Sequence, residues 1–328
     1  MKLRVILLVS VLSFLMGYFV MHLSLSSADS AVSFNNGNIP PTDTIVLTSR
    51  GNIYKLDQNN TEQITHGQNL TEPAAIEGGF VAIEKATNYS SLVMFDKLGK
   101  KIRTLFNGDT GNLDTMNWAG DPNVSPDDQK IAYVSDKDRL ETDVPDNALY
   151  ILNLADGKST NVAEPDPYSG GLAHPVFNPT DGNIVLYDYY QYDPATQAPY
   201  STIEKFDKRT GLVTTLTFKN KNAYQSAFSP DGKKLVFLGR NDTLNNVTLY
   251  LADFTDKGLA NIQALAVGDF AYPAFSLSSG HIYYLEARKN SGYNLLTAEV
   301  ANGQLLDVKT VVGGYQLQGN SSFSLIKK

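Results

Sequence analysis

Six degraded copies of one short pattern run along this chain, the clearest being residues 228–237, Phe-Ser-Pro-Asp-Gly-Lys-Lys-Leu-Val-Phe. An internal repeat constrains a fold more than any other sequence signal, because every copy must be the same supersecondary unit. With the first Phe as anchor, residues 124–133, 177–186 and 275–284 keep the spacing to the next apolar run. Residues 75–81 are a shortened copy, and Phe323 begins a sixth that the sequence does not continue. The anchors Ala75, Val124, Phe177, Phe228, Phe275 and Phe323 lie 49, 53, 51, 47 and 48 residues apart. That period matches a four-stranded propeller blade.

Each repeat shares an internal grammar. After the anchor strand and its turn comes an apolar strand, then a variable loop, then a third strand ending in an acidic residue or its amide: Asp57, Asp96, Asn153, Asp207, Asp253 or Glu299. Most are followed within five residues by Gly, as Asp96 is by Gly99 and Asp207 by Gly211. Asp and Asn bond their own turn backbone and Gly supplies positive φ, which makes these hairpin turns. A fourth short strand such as 212–216 completes the unit. Residues 44–66 supply strands two to four of a first blade that lacks an anchor strand, whereas the copy at Phe323 is an anchor strand with nothing after it. A ring closed by pairing the two removes both exposed sheet edges. The expectation is an all-β, six-bladed β-propeller of four-stranded blades over residues 42–328, closed by a C-terminal strand and preceded by a hydrophobic leader or anchor helix.

Lys2 and Arg4 precede a run from Val5 to Ala28 without acidic or basic side chains apart from His22. Export with the N-terminus on the cytoplasmic side follows. Small residues at 26–28 fit a cleavage site, while the length of the apolar run fits a spanning helix. Residues 1–28 are therefore read as a signal peptide or a signal anchor, and 29–41, rich in Asn, Gly and Pro, as a tether. The location implied is extracytoplasmic: periplasmic, cell-surface or secreted, with membrane attachment through the N-terminal helix if it is uncleaved. The chain has no cysteine, so no disulfide staples the ring. Without the leader, 25 basic residues face 34 acidic ones, a formal charge of −9. Such a chain is a poor partner for nucleic acid or anionic lipid. A closed ring has no need of a second copy, and a monomer is expected.

The repeat around Ala227 to Phe237, with Pro73, Pro175 and Pro273 two residues before their anchors, resembles the repeat of the TolB-like propeller family. The resemblance covers the whole ring. It implies the six-bladed fold and says little about function, because such propellers serve as scaffolds, receptors and gating domains of peptidases. The Gly-x-Ser-x-Gly elbow of the prolyl-oligopeptidase-like enzymes does not occur.

In a four-stranded meander, the loops between strands two and three share one face of the ring with the loops between blades. Those loops vary strongly, and variable loops on a rigid scaffold carry recognition. The two longest, 135–147 in blade three and 188–201 in blade four, are neighbours. Together with the adjoining inter-blade loops they bring Trp118, the only tryptophan, together with Tyr168, His174, Tyr189, Tyr190, Tyr192 and Tyr200. Aromatic side chains of this kind favour a protein or glycan ligand. The alternatives are a tyrosine-rich loop folded over its own blade and a structural His174. For Asp136, Asp138 and Glu141 the sharp expectation is calcium, since hard cations want several carboxylates. The interleaved Lys137 and Arg139 match no calcium-loop motif, and no other cofactor is implied. With His66, His174 and His281 scattered and Cys absent, no nucleophile constellation is legible. The first expectation is a non-catalytic binding propeller. The alternative is a lactonase-like or lyase-like enzyme using carboxylates at the central channel.

Overall fold

The computed structural model describes residues 32–112, 116–137, 146–166, 169–193, 195–216, 222–240, 246–278, 280–288, 292–315 and 323–326. Within them the chain forms six antiparallel sheets, each built on a four-stranded meander, with no α-helix among the described residues. The leader expected over 1–28 and its boundary with the tether lie outside the described residues.

Each anchor falls in an inner strand: Leu70–Ile76, Ala119–Val124, Leu172–Asn178, Ala223–Phe228, Phe270–Phe275 and Phe323–Leu325. The acidic or amide residues that close the third strands fold their turns as their chemistry dictates. Asp57 Oδ1 accepts from the backbone N–H of Asn59 and Asn60, and Asp96 Oδ1 from that of Leu98 and Lys100. Asp207 Oδ1 likewise accepts from the Arg209 N–H.

Strands buried on both faces divide their side chains between neighbours by the two-residue period of a strand. In blade two, Val81 and Ile83 pack with Ile131 and Tyr133 of blade three. Phe80 and Ala82 pack with Val46 and Ile53 of blade one. Six such clusters, one for each blade interface, make up the core. The core is therefore itself a ring.

Closure joins the two ends of the sequence. Phe323 and Leu325 pair with Leu47 and Ile45, and the Ile326 N–H donates to the Thr44 carbonyl at 2.8 Å. Buried Asp43 reinforces the joint, accepting from Ser276 Oγ at 2.6 Å and from the Tyr283 hydroxyl at 2.8 Å in blade six. The stretch expected to be a tether is attached from Ser33 onward. Ser33 and Phe34 pair with Gly313 and Val312 as a fifth strand on blade six, and Ile39 is buried in the interface between blades six and one.

One sequence expectation is corrected here. Residues 188–201 do not form a long loop. Strands Asp181–Tyr192 and Pro199–Asp207 continue through most of it as a ladder pairing Tyr192 with Pro199, and a short turn joins them. Tyrosine has high strand propensity and packs well on a pleated surface. Its polar neighbours made the segment look like loop.

Candidate functional site

Two sites flank the extended hairpin of blade four, and strand alternation separates them. The first lies in the wall of the central channel. In five inner strands, the residue three before the anchor has a positive φ: Glu72 (54°), Asp121 (51°), His174 (48°), Gln225 (49°) and Tyr272 (49°). Left-handed backbone is uncommon for side chains other than glycine, and its recurrence at one position marks a built device. The register shifts beside each residue, between Thr71 and Ala74 in blade two and between Ala173 and Val176 in blade four. Proline follows four of the five, as Pro73, Pro122, Pro175 and Pro273. A bulge tolerates proline because its nitrogen has no ladder bond to make.

The backbone N–H at four of the five bulges is capped from the preceding blade. Glu72 Oε2 accepts from Asp121 N–H at 2.6 Å, Asp121 Oδ2 from His174 N–H at 3.0 Å, and Gln225 Oε1 from Tyr272 N–H at 2.8 Å. At blade five the neighbour is an imidazole, and Asp188 takes over. Its Oδ2 accepts from Gln225 N–H at 2.8 Å and from His174 Nδ1 at 2.8 Å. Asp188 Oδ1 is buried without a hydrogen-bond partner among the described residues. These residues line or adjoin a channel cavity of about 210 Å³ whose wall includes Asp121, His174, Gln225, Tyr272 and Phe323.

Charge balances inside the wall. Burial works to discharge His174, but Asp121, Asp188 and Glu72 outweigh it and push the imidazole up to about 9. Burial, reinforced by Asp121, pushes Glu72 up to about 7, although Lys85 stands 3.7 Å away. Asp188 is raised by burial against the pull of His174. The His174–Asp188 contact is a buried hydrogen bond in which the imidazole is held protonated by its acidic neighbours while burial works against the charge of Asp188.

The second site is a groove of about 640 Å³ between blades three and four. Tyr187, Tyr189 and Gln191 project into it from one strand, and Tyr200, Thr202 and Glu204 from the next, where they are direct cross-strand partners. A hydrogen-bond ladder runs across this face. The Tyr200 hydroxyl donates to Gln191 Oε1 at 3.0 Å, Gln191 Nε2 to Thr202 Oγ1 at 3.1 Å, and Thr202 Oγ1 to Glu204 Oε1 at 2.7 Å. Burial raises the Glu204 carboxyl, with Thr202 and Thr215 opposing. The loop from blade three crosses the rim, where Asp166 N–H donates to the Tyr189 hydroxyl at 2.9 Å.

The aromatic cluster expected from sequence is thus divided. Tyr189 and Tyr200 share the groove. Tyr190 points the other way, its hydroxyl raised well above the ordinary tyrosine value first by burial and then by Asp188 and Asp121. His174 is held in the channel wall rather than on a loop. Tyr192 is partly buried within reach of the Asp146 charge. Trp118 is 39% exposed, and Tyr168 lies outside the described residues.

Of the three residues expected to hold calcium, one is described. Asp136 is buried and its Oδ1 accepts from Trp118 N–H at 2.6 Å, while Asp138 and Glu141 lie outside the described residues. Among the described residues no group of three His, Cys, Asp or Glu side chains could hold a metal ion. Sequence reasoning passed over Tyr187, Gln191, Thr202 and Glu204 in the groove, and Glu72, Gln225 and Tyr272 in the channel. The latter were marked by their place three residues before each anchor.

No family model matches the sequence, and no curated protein does. Among solved structures, TolB from Acinetobacter baumannii is similar with a TM-score of 0.66 at 15% identity, over 89% of this chain and 68% of that one. The structure of a nidogen/laminin complex gives 0.59 at 9% identity, over 87% and 98%. An oligogalacturonate lyase in complex with manganese gives 0.57 at 15% identity, over 85% and 82%. At these identities the likeness establishes the fold alone: this chain is a six-bladed β-propeller, similar in fold to TolB.

Proposed function

We propose that this chain is an extracytoplasmic, non-catalytic propeller that binds a protein or glycan partner through the loop end of blades three and four. One observation carries the proposal: the groove beside the extended hairpin, with three tyrosines and a hydrogen-bonded Gln–Thr–Glu ladder already in place. A preformed polar floor flanked by aromatic walls reduces the ordering cost of binding. The TolB and nidogen/laminin neighbours are consistent with a binding role, and the basic, apolar N-terminus is consistent with export.

The test compares partners captured from the extracytoplasmic fraction by the unaltered chain with those captured by a Trp118→Ala, Tyr189→Ala, Tyr200→Ala variant. Capture is expected to fall at least tenfold, in line with the loss of aromatic anchors at an interface. Equal capture by a variant with an unchanged melting curve would remove the groove from the binding face.

The acid–base pair in the channel favours a second reading, an enzyme working at Asp121 and His174, which line the cavity, with Glu72 bonded to Asp121 behind them. Under that reading His174→Gln abolishes turnover of an oligogalacturonate substrate. Absence of turnover by the unaltered chain across pH 5 to 9, with and without added manganese, would exclude that substrate class.

A further inference from the structure

Tyr187 is 3% exposed, lines the groove, and donates its hydroxyl to no partner among the described residues. Its hydroxyl is not among the fully enclosed polar atoms that lack a partner, so it opens onto the groove, whereas other phenols of the core are satisfied within the fold. Tyr133 donates to Ser159 Oγ, Tyr150 to the Lys137 carbonyl, and Tyr283 to Asp43. Tyr284 also has no hydrogen-bond partner among the described residues but lines neither cavity. The Tyr187 hydroxyl faces the same space as Glu204, its direct cross-strand neighbour.

The rest of the lining narrows what could complete this bond. The ladder from Tyr200 to Glu204 spends both hydroxyl donors and one of the two Gln191 amide hydrogens on the next residue, so its floor offers the groove mostly oxygen lone pairs. Among the described residues, Glu164 and Glu204 are the acidic side chains of the lining, and no lysine or arginine is found there. A carboxylate ligand would therefore meet repulsion without a counter-charge. A ligand rich in hydroxyl groups meets both needs, since each hydroxyl donates to the floor and accepts from Tyr187. The flat faces of Tyr189 and Tyr200 suit the apolar face of a sugar ring. Burial holds the Tyr187 phenol protonated, which keeps it a donor.

Resting on the reading of this sector as the binding face, we infer that the groove is a subsite for an uncharged saccharide, oriented by the Tyr187 hydroxyl and the Gln191–Thr202–Glu204 ladder. Anionic sugars are selected against at this place. The size is adequate, since a cavity of about 640 Å³ lies within the usual range for small-ligand sites.

The full chain is applied to an array of neutral, uronate-bearing and sialylated glycans, and hits are titrated by saturation-transfer NMR with the free neutral sugar. Retention of neutral glycans over uronates is expected. Tyr187→Phe should weaken binding roughly tenfold with an unchanged melting temperature, as loss of one buried hydrogen bond implies. Gln191→Ala, nearer the open end, should weaken it similarly. Equal retention of uronates, or full affinity in both variants, overturns the assignment. So does silence across the array, and in that case the capture experiment above still decides whether the sector binds a protein. A captured peptide that binds the groove in place of the sugar also overturns it.

Discussion

Tyr187 and Asp188 are consecutive residues of one strand, 3% and 0% exposed, yet they meet opposite surroundings. Asp188 faces the channel, where one of its oxygens joins His174 to the bulge of blade five. Tyr187 faces the groove with its hydroxyl free of protein partners among the described residues. Burial alone therefore does not separate structural residues from ligand-facing ones. What separates them is whether the polar atom's bond is made within the fold.

That contrast breaks most visibly at Asp188. Asp188→Ala leaves a buried imidazolium and the Gln225 N–H uncapped, and should cost about 3–5 kcal/mol, the usual penalty for breaking a buried pair. Urea unfolding measures it, and a loss below about 1 kcal/mol would show that His174 is held by other means.

A second and smaller effect is pH dependence. Glu72 is raised from 4.5 to about 7, so its contribution is complete below about 4.5 and lost as pH rises through about 7. His174 is raised from 6.5 to about 9, so its contribution is complete below about 6.5 and gone above about 9. Both act in the same direction. Stability should fall between pH 5 and 9 by roughly 1–3 kcal/mol for each group, and a Glu72→Gln, His174→Gln variant should lose that slope. Unfolding midpoints that are flat or rising over this window in the unaltered chain would contradict the charge balance described for the channel wall.

The smallest effect belongs to the other side of the strand. Tyr187→Phe removes a hydroxyl with no protein partner, so stability should change by less than about 1 kcal/mol. A thermal melt checks this. A larger loss would place Tyr187 with Asp188 among the residues that hold the ring.

The ring was legible because its signals repeat. Anchors such as Phe177 and Phe228, turn residues such as Asp96 and Asp207, and the unpaired strand at Phe323 each recur or fit a gap. The site was only partly legible, because its residues do not repeat. Glu72, Asp121, His174, Gln225 and Tyr272 occupy one equivalent position with five different side chains, so no pattern of letters reveals them. In blade four, Tyr189 and Tyr190 read alike as neighbours in a tyrosine-rich stretch. Only the strand period, hidden while 188–201 passed for loop, sends one to the groove and the other toward the channel.

The caps around the channel also bear on how such a ring can change over evolutionary time. Asp121 is capped by a longer acid from blade two, and the bulge of blade five needs a carboxylate from the second strand of blade four because blade four's own bulge residue is His174. Each blade thus carries part of its neighbour's specification. Exchanging two blades, or duplicating one, would bring together bulges and caps of mismatched reach and charge. A propeller of this kind should diverge by substitution at matched pairs of adjacent blades more readily than by shuffling whole blades.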